Sequence, residues 1–146
     1  MLFRSPPWYD GAKFAVQGAL VLVTINYRLG PLGFLHLGEL FGEEYASSGN
    51  AGLLDQVAAL EWVHENIAAF GGDPGQVTIF GESAGGASVA TLMGTPAAQP
   101  GTWFQRVIAQ SGAVDWGLEP AQATTNARTI LDQLGLPHDE IGRAHV

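Results

Sequence analysis

Gly81-Glu82-Ser83-Ala84-Gly85-Gly86 stands between the apolar run Val77-Thr78-Ile79-Phe80 and the stretch Ala87-Ser88-Val89-Ala90-Thr91-Leu92-Met93. The order is strand, sharp turn, helix, with a serine at the turn. A nucleophile elbow of this kind lifts the serine hydroxyl out of the end of a sheet, where a base can reach it. The spacing predicts flanking glycines because the turn is too tight for side chains beside the serine. It also predicts a strained backbone at Ser83 and an oxygen pointing into an open site. The same letters suit a glycine-rich turn with an incidental serine. The strand before and the helix after are the context that the catalytic reading requires.

Outward from the elbow, the pattern alternates. Residues 20–27, Leu-Val-Leu-Val-Thr-Ile-Asn-Tyr, lack polar alternation and predict a strand buried on both faces, as in a parallel sheet. Residues 104–110 predict another buried strand, closed by Ser111-Gly112. Between the first strand and the elbow, Leu53, Val57, Leu60, Val63, Ile67 and Phe70 recur at helical spacing, with Asp55, Gln56, Glu61, Glu65 and Asn66 mostly elsewhere around the wheel. Asn50 is the expected N-cap of that helix. Gly71-Gly72 is its expected C-terminal stop, and Asp73-Pro74 the turn into the elbow strand. Residues 10–17 predict a short helix ended by Gly18. Gly30-Pro31-Leu32-Gly33 is expected to break the chain, and residues 38–49 to form a loop. Gly94-Thr95-Pro96 stops the elbow helix. Residues 120–134 predict a last amphipathic helix with Ala123, Ala127, Ile130, Leu131 and Leu134 on one face. Strands alternating with helices imply a parallel α/β fold, here with three buried strands.

Composition narrows the class. The chain has 146 residues, enough for one domain with a core. Its 47% hydrophobic and 14% charged residues make it globular, not disordered. A net charge of −8 argues against nucleic acid or an anionic membrane as partner. With no cysteine, neither a disulfide framework nor a thiolate metal site can form. No stretch is long enough to span a bilayer, and the first residues lack the apolar core of a signal peptide. A cytoplasmic protein is the expectation. No metal and no cofactor are expected.

Four segments carry a resemblance. Residues 26–34, Asn-Tyr-Arg-Leu-Gly-Pro-Leu-Gly-Phe, resemble a hallmark of the type-B carboxylesterases. So do residues 49–56, Gly-Asn-Ala-Gly-Leu-Leu-Asp-Gln, the stretch from Trp62 through Asn66 and Gly71-Gly72-Asp73-Pro74 to Gly81-Glu82-Ser83-Ala84-Gly85, and Gln110-Ser111-Gly112. They stand in the family's order across about residues 8–135, and look most like bacterial esterases of the para-nitrobenzyl kind. The resemblance implies an α/β-hydrolase fold, parallel sheet with flanking helices, and cleavage of small-molecule carboxylic esters through an acyl-enzyme. It implies Ser83 as nucleophile and the Ala84 N–H as one oxyanion donor, as the residue after the nucleophile generally is. Gly85 lies beside the site. Glu82 either lines the acyl and alcohol pocket or only orders the turn. Ser111 resembles a serine near the catalytic acid. Arg28 and Asp55 look structural, as buried ion-pair or hydrogen-bond partners. A non-catalytic adhesion or scaffold domain on the same fold, as in neuroligins, is the alternative. A nucleotide-binding module would need a phosphate loop after the first strand, which Tyr27-Arg28-Leu29-Gly30 does not supply.

Acyl transfer also needs a base and an acid to orient it, in the chain order Ser, Asp/Glu, His. After Ser83 stand Asp115, Glu119, Asp132, Asp139 and Glu140, with His138 and His145. The resemblance implies that the family's acid and histidine follow later strands, so His138 and His145 are expected to be incidental. His36 and His64 are expected to be solvated or hydrogen-bonded structural residues. The other oxyanion donors of the family come from a loop upstream, and residues 1–9 resemble the segment just after it. Residues 1–139 are therefore expected to be the central part of a catalytic domain, inactive alone. Residues 140–146, Glu-Ile-Gly-Arg-Ala-His-Val, back-translate to GAG ATC GGA AGA GCA CAC GTC, with TGA as the next codon. That string matches a short-read sequencing adapter, so this tail is expected to be read-through and not protein sequence.

Overall fold

A computed structural model describes residues 11–18, 20–112 and 117–137. The described residues form two compact units, residues 11–26 with 56–112, and residues 27–55 with 117–137. Six α-helices run in chain order: α1 (Ala12–Gly18), α2 (Gly30–Phe34), α3 (Gly38–Phe41), α4 (Ala51–Asn66), α5 (Ala84–Met93) and α6 (Pro120–Gln133). Two strands, β1 (Thr78–Glu82) and β2 (Arg106–Gln110), pair in parallel, with Ile79 opposite Val107 and Phe80 opposite Ile108.

In the first unit, α5 is the crossover between β1 and β2 and packs on both. It covers one face of the sheet. The alternation along β1 follows from this: Ile79 and Gly81 are half-covered, while Thr78, Phe80 and Glu82 are exposed. Phe80 and Ile108 lie side by side on the other face, 53% and 52% exposed. The expectation of strands buried on both faces is therefore corrected, because only one face has a covering layer among the described residues. Behind the sheet, Ala87, Val89 and Leu92 of α5 and Leu60, Val63 and Ile67 are buried. Burying Leu92, 3% exposed, contributes about 2 kcal/mol.

The third expected strand is absent among the described residues. Residues 20–27 carry no strand pairing, and Leu20, Val21, Val23 and Ile25 are each 38–44% exposed. β-branched composition expresses a preference for an extended, packed environment, but a strand exists only where another offers its backbone. No described strand does so here.

The long helix is where the spacing places it. α4 continues as a 3-10 turn over Ile67–Phe70, and Gly71, at φ 82, takes the left-handed conformation that ends it. Asp73 Oδ1 then accepts from the Gly75 N–H at 2.8 Å, closing the turn into β1. Three details differ. Asn50 is not a free cap but ends a 3-10 turn, Ser48–Asn50, that runs straight into α4. Gln56, expected on the polar side, is 4% exposed, with Nε2 3.4 Å from Ser88 Oγ of α5. Phe70, expected on the apolar face, is 62% exposed and meets the Trp62 ring at a tilt of 48°, with centroids 5.8 Å apart.

In the second unit, the expected chain break at residues 30–33 is instead the short helix α2, opened by Pro31, whose fixed φ suits a first turn. The expected loop at 38–49 is a chain of single turns, α3 followed by 3-10 turns at Glu43–Tyr45 and Ser48–Asn50. α6 buries Thr124, Ala127 and Leu131, but Leu134 is 65% exposed just past its end. The Thr124 hydroxyl, absent from the expected face, lies 2.9 Å from both Glu39 Oε2 and the Pro120 carbonyl.

Arg28 and Asp55 form the expected ion pair, but not a buried one: their side chains are 55% and 26% exposed. Arg28 Nη2 reaches Asp55 Oδ1 at 2.7 Å, while Arg28 Nε and its backbone N–H donate to Oδ2 at 2.8 and 2.9 Å. The guanidinium hydrogen bond first, then the backbone one, holds the Asp55 carboxyl at about 2. A depressed carboxyl stabilises the folded state above its ordinary value of about 3.9, and that contribution disappears as pH falls through about 2. The stability difference between wild type and Asp55→Asn should therefore be constant above about pH 4 and shrink toward pH 2. Urea denaturation across that range checks this. A difference that stays constant to pH 2 would show that the pair does not perturb Asp55.

Candidate active site

The elbow is built from backbone. Ser83 follows β1 directly and is the N-cap of α5, with φ 55 and ψ −118. A non-glycine residue at positive φ outside the left-handed helical well costs about 1–3 kcal/mol, so the surroundings must enforce it. The Ser83 N–H donates to the Gln110 carbonyl at 2.9 Å, and the Ser83 carbonyl accepts from the Ala87 N–H at 3.0 Å. One bond ties the serine to the end of β2, the other to the first turn of α5. The residue is exposed, as the elbow requires.

Gly81 obeys the steric expectation. A Cβ there would fall on the carbonyl group of Gly85, which is backbone and cannot turn aside. Gly85 itself does not: nothing described lies within 4 Å of where its own Cβ would stand. The tightness of the turn is thus one-sided, with Gly85 the obstacle and Gly81 the residue that must stay bare.

Ala84 is the first residue of α5, so its N–H is among those left without an intrahelical acceptor, at the positive end of the helix dipole. Glu82 ends β1, exposed and in register with Gln110. Ser111 directly follows β2 as Ser83 follows β1, and it too has positive φ, 53°. Two strained serines thus sit at the carboxyl ends of adjacent parallel strands, where open α/β sheets place their ligands.

No histidine described in the unit of Ser83 hydrogen-bonds it. His64, on α4, has its ring 6.4 Å from that of Trp103, and no described residue hydrogen-bonds Ser83 Oγ. His36 lies between α2 and α3 in the second unit. Both were expected to be solvated or hydrogen-bonded. Instead His64 Nδ1 and His36 Nε2 are buried without a hydrogen-bond partner among the described residues, although each side chain as a whole is only half-buried. His138, His145, Asp115, Asp139 and Glu140, residues 1–9 and the tail 140–146 lie outside the described residues. Among those that are described, no cluster of three His, Asp or Glu side chains could hold a metal, and no helix is long and apolar enough to cross a membrane.

In the sequence Gly112 reads only as closing β2 and as the last letter of Gln110-Ser111-Gly112, with no role of its own; its α-carbon packs on the first turn of α5.

The comparisons agree with this geometry. The profile of the carboxylesterase family matches residues 1–143. The para-nitrobenzyl esterase of Bacillus subtilis is 52% identical over 141 residues, covering 97% of this chain and 28% of that protein. Liver carboxylesterase of Sus scrofa is 56% identical over 112 residues, 77% of this chain and 19% of that protein. The crystal structure of Geobacillus stearothermophilus carboxylesterase EST55 at pH 6.8 superposes with a TM-score of 0.88 at 55% identity, over 93% of this chain and 29% of that one. The chain therefore spans under a third of the length of these relatives. With two parallel strands joined through an elbow helix, and a family profile matched almost end to end, this chain belongs to the carboxylesterase family and has part of the α/β-hydrolase fold.

Proposed function

We propose that the whole protein to which this chain belongs is a serine carboxylesterase. Ser83 Oγ attacks the carbonyl carbon of a small-molecule ester, and a histidine outside the described residues takes its proton. The Ala84 N–H stabilises the oxyanion, the alcohol leaves, and water then releases the acid from the acyl-serine. The observation that carries this is Ser83 itself: exposed, strained at φ 55, and seated at the N-terminus of α5. A scaffold domain has no use for a strained, exposed serine there, so the same observation favours the enzyme over the adhesion reading.

In this reading Glu82 and Gly85 flank the reacting centre, and Ser111 lies beside the acid that orients the base. Residues 1–139 are the central part of the catalytic domain and residues 140–146 stand apart from it. The reaction needs neither metal nor cofactor, and the protein is cytoplasmic. Its shares of 28% and 29% of the first relatives' lengths support a larger domain.

The test is turnover of para-nitrophenyl acetate by the whole protein and by the 146-residue chain. The whole protein should hydrolyse the ester with a Ser83-dependent rate. The chain alone should not exceed its own Ser83→Ala variant, since nothing described is placed to activate the serine. It should also aggregate, because Phe80, Ile108 and residues 20–25 present uncovered apolar surface beside unpaired strand edges. A whole protein without esterase activity would sink the proposal. A soluble, active 146-residue chain would contradict its domain assignment.

A further inference from the structure

The turn that leaves β2 reaches back to the elbow. Ser111, at φ 53, redirects the chain so that Gly112 lies against the start of α5. A Cβ on Gly112 would fall on the Ala87 nitrogen and the Gly86 carbonyl carbon, and 2.7 Å from Gly86 Cα. The fit is reciprocal: a Cβ on Gly86 would stand 2.5 Å from the Gln110 carbonyl oxygen and 3.1 Å from Gly112 Cα. All of these obstacles are backbone, so no side-chain rotation relieves them.

The atoms involved belong to the bonds that hold the serine. Ala87 N–H is the donor to the Ser83 carbonyl, and the Gln110 carbonyl accepts from the Ser83 N–H. Gly112 therefore sits on the donor of one bond, and Gly86 on the acceptor of the other. We propose that Gly112 is a positioning residue for Ser83: its bare α-carbon lets the β2 exit turn seat the first turn of α5, and so sets where Ser83 Oγ and the Ala84 N–H stand. This rests on the esterase reading of Ser83. A methyl group at 112 would lift the first turn of α5 away from β2. The nucleophile and an oxyanion donor would move together. A displacement of about 1 Å in reacting groups can cost about 100-fold in rate.

The experiment uses the whole protein and para-nitrophenyl acetate. Gly112→Ala should lower kcat about 100-fold with KM unchanged within about threefold. Gly72→Ala is the control for mere steric damage. Its added Cβ would stand 2.6 Å from Ile67 Cγ1, a conflict away from the elbow, and it should lower the melting temperature while leaving kcat unchanged. If Gly112→Ala does not fold, Gly86→Ala presses on the same contact from the other side and should lower kcat about tenfold at constant KM. A wild-type kcat in the alanine variant that folds, or a matching kcat loss in Gly72→Ala, overturns the proposal. Ser83→Ala separates the two claims. If it is inactive while Gly112→Ala is fully active, only the positioning role falls; if it remains active, the esterase assignment falls first.

Discussion

Ser83→Ala should reduce turnover of small esters by the whole protein by about four to six orders of magnitude without unfolding it. The size follows from the chemistry. Without an oxygen on residue 83 no acyl-enzyme can form, and what remains is the stabilisation that oxyanion donors lend to attack by water. Folding should survive, and improve slightly if anything. The strain at φ 55 remains with any Cβ, but an alanine loses no partner, since no described residue hydrogen-bonds Ser83 Oγ. Steady-state kinetics beside a thermal melt separate the two effects. Near-full activity in this variant would mean that another residue is the nucleophile.

Gly81→Ala should be the most damaging single methyl in the elbow. Its Cβ would fall on the Gly85 carbonyl group, and relief requires moving either β1 or the first turn of α5. Over-packing of this kind costs about 3 kcal/mol. The two elements concerned are those that set Ser83, so activity should fall with stability. Gly85→Ala is the comparison: nothing described lies within 4 Å of its added methyl, so it should be far milder for stability. Chemical denaturation of the two variants tests the contrast. Equal destabilisation would mean that the crowding at Gly81 is not what shapes the turn.

What could be read from sequence divides along a physical line. Features set by neighbours in the chain were legible: the strand–serine–helix order, the helical spacing from Leu53 to Ile67, the stop at Gly71, the turn at Asp73. Local sterics and periodicity specify these, and the place of Ser83 at the turn with them. Features set by what packs across space were not. Residues 20–27 have the composition of a buried strand but no pairing among the described residues, because composition cannot supply a partner. Gln56 looked solvent-facing on a helical wheel, yet α5 covers it and Ser88 meets its amide. Gly112 looked like the end of a strand and of the Gln110-Ser111-Gly112 segment, but its contact with Gly86 exists only because two parallel strands bring distant segments together. Residues 38–49 were misread for a different reason. Single 3-10 turns have no period to detect, and polar, glycine-rich letters suit them as well as a loop.

The most direct test of Ser83 as nucleophile is to label it covalently with a reagent that only an activated serine attacks. The whole protein would be treated with a fluorophosphonate, which forms a stable tetrahedral phosphorus adduct on an activated serine, then digested and mapped by mass spectrometry. One adduct per chain, on the peptide that carries Ser83 and absent from Ser83→Ala, is the result expected from an exposed, strained serine at the head of α5. An adduct on any other residue, or labelling that persists in Ser83→Ala, would contradict it.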